Sequence, residues 1–471
     1  MPGKTSLQAE TVSLMSLLED LQKIVGDGRR VSASPSELYC YTFDASQIEG
    51  RPDVVVRPLR TEEVSKILKL AYHQEVPVTT RGAGTGLAGG AVPLKGGIVL
   101  DMSTMNRVID VDVANIQAEV EPGLIRDDFN QAIKPYGFFF PPDPGSSAMC
   151  TIGGMIANNA SGMRCIKYGT TKAYVLGLEV VLADGTVINT GSRVLKSSAG
   201  YDLTRLMTGS EGTLGVITRA RIKIAPLPKA RWLILTAFSS AEEAGRAVVK
   251  VLSSGIIPSA CEILDKTTIS VLKQCDKKLI LPEGDVILFE VDGTVASTEE
   301  DAKSIAEVCA PTATSIRRIS SQMEMEEIWA ARKLIGASIS RLQPEKSRVY
   351  VGEDVGVPIK SVPEIIKKVQ EISDDIGLPA MKFGHVGDGN LHVALFIDVT
   401  KKDHWNKLME AADRIHLAAL DLGGTVASEH GIGKARAQYM RRQHGPALDV
   451  MRVIKRALDP VGILNPGKLD L

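Results

Sequence analysis

Two histidines flank one turn in the stretch FGHVGDGNLH, residues 383–392. The chain has only 7 histidines, so a pair this close asks for a chemical reason. Asp388-Gly389 is a strong two-residue hairpin signal, because the tight turns that join antiparallel strands need positive φ at their centre. A turn centred there pairs Gly387 with Asn390 and Val386 with Leu391, which sets His385 directly opposite His392. Opposed Cβ atoms in such a ladder lie roughly 5 Å apart, close enough for two imidazoles to share one ion. Asn390 shares the face of His392, and Val386 and Leu391 point to the other side. Two neutral imidazoles need a carboxylate to complete a three-ligand site with open positions, and that set suits zinc, manganese and iron alike. His73, His404, His416 and His444 lack this pattern and read as ordinary hydrogen-bonded core or surface residues.

A second chemical signal is the glycine-rich RGAGTGLAGGAVP, residues 81–93. Gly84-Thr85-Gly86-Leu87-Ala88-Gly89 fits G-x-G-x-x-G, but the dinucleotide fingerprint needs a helix opening immediately afterwards. Here GAVPLKGG follows, and the next regular element is the strand IVLDM. A nicotinamide-binding Rossmann unit is therefore not expected, whereas a nest of backbone N–H groups that cradles phosphate is. The 6 cysteines (40, 150, 165, 261, 275, 309) are scattered without a C-x-x-C. That spacing argues against an iron–sulfur cluster or zinc ribbon within this chain and fits the reduced thiols of a cytoplasmic enzyme.

The elements that must position these groups fall into two patterns. A short helix is expected from Leu14 to Ile24. TEEVSKILKLAYHQE, residues 61–75, reads as a helix capped by Thr61, with Val64, Ile67, Leu68 and Ala71 on one face. The strand VPVTT leads into the glycine loop. Strands near 97–102, 107–112 and 116–121, a helix near 124–134, and a hairpin turning at Asp184-Gly185 complete this half. In the second half, strand-like WLILTAF precedes the helix AEEAGRAVVKVL, and DVILFEVDG precedes TEEDAKSIAEVC. MEMEEIWAARKLIGASIS and PEIIKKVQEISDDIG read as further helices. The pattern predicts an α+β layer with helices on one face of a mostly antiparallel sheet, and a boundary near residues 226–230.

A chain of 471 residues exceeds a single core and implies two or three domains. Its 55 basic and 56 acidic residues nearly cancel, so nucleic-acid binding is not expected. MPGKTSLQAETVSLMSLLEDL lacks the basic start and apolar stretch of a secretory signal. No segment holds about 18 uninterrupted apolar residues, so no membrane span is expected.

Six motifs, in order, resemble one flavoprotein superfamily: the loop RGAGTGLAGGAVP, FFFPPDPGSSAMCTIGGMIANNASGMRCIKYG, LKSSAGYDLTRLMTGSEGTLGVIT, FGHVGDGNLH, SEHGIGK and LNPGK. The chain is similar to the vanillyl-alcohol oxidase / p-cresol methylhydroxylase flavoproteins. Within them it resembles the FAD-linked D-lactate dehydrogenase and glycolate oxidase subunit group. The resemblance implies a two-subdomain p-cresol-methylhydroxylase-type FAD-binding domain over 1–226 (core about 50–226). An α+β cap domain with a mostly antiparallel sheet over 227–424 carries substrate, and a segment over 425–471 returns to the flavin. By position, Arg81, Gly82, Gly84, Thr85 and Gly86 would surround the pyrophosphate. Pro142, Asp143, Ser147, Gly153, Gly154, Asn158 and Gly162 would line the flavin and its ribityl chain. Glu211 and Ile217 would sit against the adenosine half, and Asn465 would approach the isoalloxazine ring. Some relatives attach flavin covalently through a histidine, but none lies between His73 and His385, so non-covalent FAD is expected.

The resemblance also names the metal set: His385, His392 and Glu429, holding one divalent cation. It implies that His430 is the general base that takes the substrate hydroxyl proton. Trp329-x-x-Arg332 matches the group's substrate-carboxylate arginine, and Asn390 would help hold the acid. Relatives acting on D-2-hydroxyglutarate carry a lysine for the distal carboxylate where Gly352 stands here. A small monocarboxylate, D-lactate or glycolate, is the expected substrate. Without a cluster motif of its own, the chain should pass electrons to an iron–sulfur subunit, an electron-transferring flavoprotein or a quinone. The expected location is the cytoplasm, or a membrane reached through that partner. The alternatives are a non-redox relative of the alkyl-glycerone-phosphate-synthase kind, or a non-catalytic flavin subunit of a larger oxidase.

Overall fold

A computed structural model of the protein describes residues 4–275, 279, 281–335, 347–348 and 354–471. Its first sheet is small and mostly parallel. Val54–Val56, Ile98–Asp101 and Val78–Arg81 run parallel, with Val31–Ser32 antiparallel at the edge. The first two of these strands are buried along their whole length, as a parallel sheet covered on both faces requires. The helix Thr61–Gln74 makes the crossover and buries Val64, Ile67, Leu68 and Ala71. The N-terminal helix runs from Lys4 to Val25, longer than expected, and packs Leu17, Leu21 and Val25 into the same core.

Thr61 does not cap its helix. Arg60 occupies the cap position, and the Thr61 hydroxyl instead donates to Glu179 Oε1 at 2.6 Å. Buried Glu63 accepts from Leu59 N–H at 2.9 Å, in the chain that leads into the helix.

A five-stranded antiparallel sheet follows, in the order Val108–Asp112, Gln117–Val120, Val216–Lys223, Val175–Val181, Val187–Gly191. The hairpin at Asp184-Gly185 forms as expected, with Gly185 at φ 86°.

The larger sheet is antiparallel throughout. Ser315–Ile319, Ala230–Phe238, Asp285–Gly293, Ala260–Leu264, Ala380–Gly384 and Asn390–Ile397 lie side by side, and Ser347–Arg348 and Asp354–Gly356 both pair with Asn390–Ile397. Helices cover both of its faces rather than one. Ala241–Ser253, Val295–Cys309, Val362–Ile376 and Lys402–Asp421 pack against Ile234, Ile263 and Phe289. Lys266–Cys275 and Gln322–Lys333 pack against Leu235, Leu288 and Met381 on the other face. The strands are continuous apolar runs, and such runs demand cover on both sides. The strands Ala260–Leu264 and Ser315–Ile319 and the helix Lys402–Asp421 were not anticipated. The end of the helix expected over MEMEEIWAARKLIGASIS, from 336 on, and the stretch around Gly352 lie outside the described residues.

The C-terminal segment returns to the first sheet. Val78 N–H donates to Ile463 O and Asn465 N–H to Val78 O, each at 2.8 Å. Asp459 takes three backbone N–H groups, from Gly462, Ile463 and Leu464. Buried Lys468 donates to Val92 O at 2.7 Å and so anchors the end of the glycine loop. Among the described residues no helix is long and apolar enough to cross a membrane.

Candidate active site

The glycine loop borders a cavity of about 500 Å³ that reaches from Gly82–Gly86 to His385, His392, Glu429 and His430. Gly82, Gly84, Thr85, Gly86, Gly153, Gly154, Asn158, Glu211 and Ile217 all line it. Gly84 has φ 68°, and a Cβ there would run into the Arg81 guanidinium. A wall made of glycine backbone lets N–H groups approach a ligand closely, which suits a pyrophosphate.

Six of the expected cofactor residues stand one layer behind that wall. Arg81 braces the loop from beneath, over the Tyr41 ring and toward Ala91 O. Pro142 O accepts from Arg126 Nε at 2.9 Å, Asp143 lies 3.4 Å from Arg126, and the Ser147 hydroxyl donates to Asp127. Gly162, at φ 134°, packs against Asp143 O. The wall itself in this region is Pro144, Gly145, Ser146 and Met149. Asn465 Nδ2 donates to Gly90 O at 2.9 Å and Glu211 O at 2.7 Å, so it clasps the loop to the Glu211 turn. Glu211 reaches the cavity but accepts from Ile432 N–H and Gly433 N–H at 2.8 and 2.7 Å. Burial pushes its carboxyl above the ordinary range.

At the other end the hairpin register differs from expectation. Phe383, not His385, lies opposite His392. The first strand stops at Gly384, whose φ of 141° turns the chain out of the ladder. Residues 385–389 then form a longer turn, closed by Asp388 N–H and Asn390 N–H, which both donate to His385 O at 3.2 Å. His385 therefore comes from the turn and His392 from the strand. Their rings still meet edge to face, with centroids 5.2 Å apart.

Glu429 completes the group. The Nε2 atoms of His385, His392 and His430 lie 3.4, 3.2 and 3.3 Å from the same Glu429 Oε1. His385, His392 and Glu429 form one cluster able to hold a metal ion, and Asp354, His392 and His430 form another. Asp354 was not anticipated. Its Oδ2 accepts from Ser428, Glu429 and His430 N–H at 3.0, 3.0 and 2.9 Å and so shapes the SEH turn. Asn390, expected to hold substrate, does not line the cavity. Its Nδ2 donates to Asp354 Oδ1 at 2.8 Å and to Val355 O at 3.1 Å.

Glu262 is the other residue sequence reasoning missed. It is fully buried, and its Oε2 accepts from Arg332 Nε at 2.8 Å and lies 2.8 Å from Arg332 Nη2. Its Oε1 bonds His385 Nδ1. Arg332 lies over the Phe383 ring and lines the cavity. Burial works against charge on Glu262 and His385, but the Glu262 and Glu429 carboxylates hold His385 well above its ordinary pKa. Burial likewise works against the Glu429 carboxylate, but His385 outweighs it and holds Glu429 well below its ordinary range. His392 is lowered, by burial first.

The donor set fits a divalent cation. A neutral His385 that donates through Nδ1 turns its Nε2 lone pair on a carboxylate oxygen. In the cation-free protein a proton on that nitrogen relieves the contact, and a divalent cation shared by the Nε2 atoms of His385 and His392 and by Glu429 Oε1 would take the proton's place.

A glycine-walled cavity stands on a two-sheet base, roofed by an antiparallel sheet that delivers buried histidines. The chain belongs to the FAD-linked oxidase family: residues 227–469 match the family described as FAD linked oxidases, C-terminal domain, and residues 52–191 match the FAD binding domain. It is 38% identical to the glycolate oxidase subunit GlcD of Bacillus subtilis, over 91% of this chain and 91% of that protein. It is 35% identical to the D-lactate dehydrogenase of Archaeoglobus fulgidus, over 97% of this chain and 99% of that protein. The fold is similar to that of p-cresol methylhydroxylase, with a TM-score of 0.79 at 18% identity, covering 97% of this chain and 96% of that one.

Proposed function

We propose that the protein oxidises a small D-2-hydroxy acid, D-lactate or glycolate, to the 2-oxo acid, using non-covalent FAD and one divalent cation. On this reading residues 1–226 hold the flavin, 227–424 receive the acid, and 425–471 bring Glu429 and His430 to both. The observation that carries it is the convergence of three imidazole Nε2 atoms on Glu429 Oε1, in a cavity that also holds Arg332. The relatives named glycolate oxidase subunit and D-lactate dehydrogenase support the same chemistry.

FAD, when bound, supplies the two-electron acceptor. A divalent cation, held by His385, His392 and Glu429, supplies positive charge that favours ionisation of an alcohol. The remaining work falls to side chains. Arg332 receives the substrate carboxylate with the guanidinium edge that Glu262 does not use. His430 takes the hydroxyl proton at Nε2, with Asp354 Oδ2 4.0 Å from its Nδ1 to favour the charged ring. Electrons then leave to an iron–sulfur subunit, an electron-transferring flavoprotein or a quinone.

Anaerobic titration of the purified yellow protein with D- and L-2-hydroxy acids, before and after chelation, tests this reading. D-lactate or glycolate bleaches the flavin, and the chelated protein stays yellow. If no 2-hydroxy acid reduces the flavin, the chain is a non-redox or non-catalytic member of its superfamily and the proposal fails.

A further inference from the structure

One buried carboxylate stands between the two halves of the site. Glu262, in the strand Ala260–Leu264, has no exposed surface. Its Oε1 takes the Nδ1 side of His385, and its Oε2 takes the Nε and Nη2 edge of Arg332 at 2.8 Å. Among the described residues Arg332 Nη1 has no hydrogen-bond partner. The Ala260–Leu264 strand pairs with the end of Ala380–Gly384, Ile263 against Gly384 and Leu264 against Phe383. This pairing sets Glu262 beside His385, next to the point where the backbone leaves the ladder.

We propose that Glu262 is a positioning residue that couples the cation site to the substrate-carboxylate site. This rests on the function proposed above. The physical argument has two parts. A carboxylate at Nδ1 fixes the imidazole with its proton on that nitrogen, so that Nε2 offers its lone pair toward Glu429. The same carboxylate occupies one edge of the guanidinium, which aims the other edge into the cavity. Because one group does both, a change at Glu262 disturbs cation binding and acid binding together. Glutamine in its place has one acceptor oxygen and one donor nitrogen, so it satisfies His385 or Arg332 but not both.

The test compares wild type and Glu262→Gln as FAD holoenzymes, stripped with a chelator and titrated with Zn²⁺ or Mn²⁺ against a chromophoric competitor. The variant should bind the cation at least about tenfold more weakly. Its KM for the hydroxy acid should rise, and combining it with Arg332→Lys should raise KM less than the two separate changes predict. Equal cation affinity in wild type and in a folded, flavin-loaded variant overturns the role of Glu262 and leaves the proposed function standing. No stoichiometric cation in wild type overturns both. If the variant does not fold, wild-type holoenzyme loaded with Zn²⁺ and labelled with ¹⁵N-histidine decides. The His385 signal, assigned by its loss in His385→Asn, should carry its proton on Nδ1. A proton on Nε2 overturns the proposal.

Discussion

His392 and His430 stack face to face, with ring centroids 5.1 Å apart and planes within 9°. One comes from the strand Asn390–Ile397 and the other from the SEH turn, so the stack joins the large sheet to the returning C-terminal segment. Both rings present Nε2 to Glu429 Oε1, and both present Nδ1 to Asp354 at 4.0 Å. The proposed ligand and the proposed base are thus held in parallel between two carboxylates.

Asp354 is what makes that geometry rigid, since its Oδ2 gathers three consecutive backbone N–H groups and its Oδ1 takes Asn390. Asp354→Asn sets an amide N–H against donors on one side or the other. We expect a loss of about 1–3 kcal/mol in stability. We also expect at least a tenfold fall in kcat, because Glu429 and His430 both move. Urea unfolding and steady-state kinetics with excess cation measure the two effects. A fully active variant would show that the SEH turn holds itself.

Glu429→Gln removes the charged member of the cation set while keeping its shape. Loss of several kcal/mol of charge stabilisation corresponds to at least about a hundredfold fall in turnover. Flavin content should be unchanged, because Glu429 meets Asn158 through its backbone carbonyl, which the substitution leaves in place. Chelation of wild type should reproduce the loss, and added Zn²⁺ or Mn²⁺ should reverse it in wild type only. Metal analysis beside the flavin spectrum checks both points. Retention of full activity after chelation would remove the cation from the reaction.

Arg332→Lys keeps the positive charge and discards the fork. A lysine cannot satisfy Glu262 along two N–H groups while offering a second edge to the acid. The expected effect is a fall of about tenfold or more in kcat/KM, carried mainly by KM, since a charge-assisted bond of this kind contributes about 1.5–3 kcal/mol. An unchanged KM for D-lactate and glycolate would move the substrate carboxylate elsewhere.

How much of this was legible in the sequence varies residue by residue. FGHVGDGNLH pointed to two histidines whose rings the structure does bring together, but through a different register. A two-residue Asp-Gly turn would have paired them across the ladder, but Gly384 leaves the strand at φ 141° and the turn takes five residues. The glycine loop was readable because a run of glycines has few other uses, and the missing helix after it correctly turned the reading away from a Rossmann unit. Glu262 and Asp354 were not readable. Each sits in a short, fully buried strand, where a charged residue breaks the apolar pattern that marks a strand. Their partners are 123 residues away at His385 and 75 away at Glu429, and no local spacing reports such a contact. The helices on both sheet faces were half-legible: the apolar runs were visible, but continuous burial was taken for one-sided packing.

His416 offers a prediction about pH and stability. It is buried within the helix Lys402–Asp421, with its ring 4.6 Å from that of Tyr439. Burial first, and the nearby Arg436 charge second, press its pKa from 6.5 down to about 3. A histidine that must stay neutral in the fold but is free to charge when unfolded binds its proton earlier in the unfolded state. Its neutral form therefore imposes no protonation penalty above pH 6.5, and stability is lost progressively as pH falls from there toward about 3. His416→Leu removes that titration and keeps an apolar side chain of similar reach. Unfolding midpoints measured from pH 7 to pH 4 should fall less steeply for the variant than for wild type, and the two curves should differ most at the acid end. Parallel curves would mean that His416 finds a partner for its proton inside the fold.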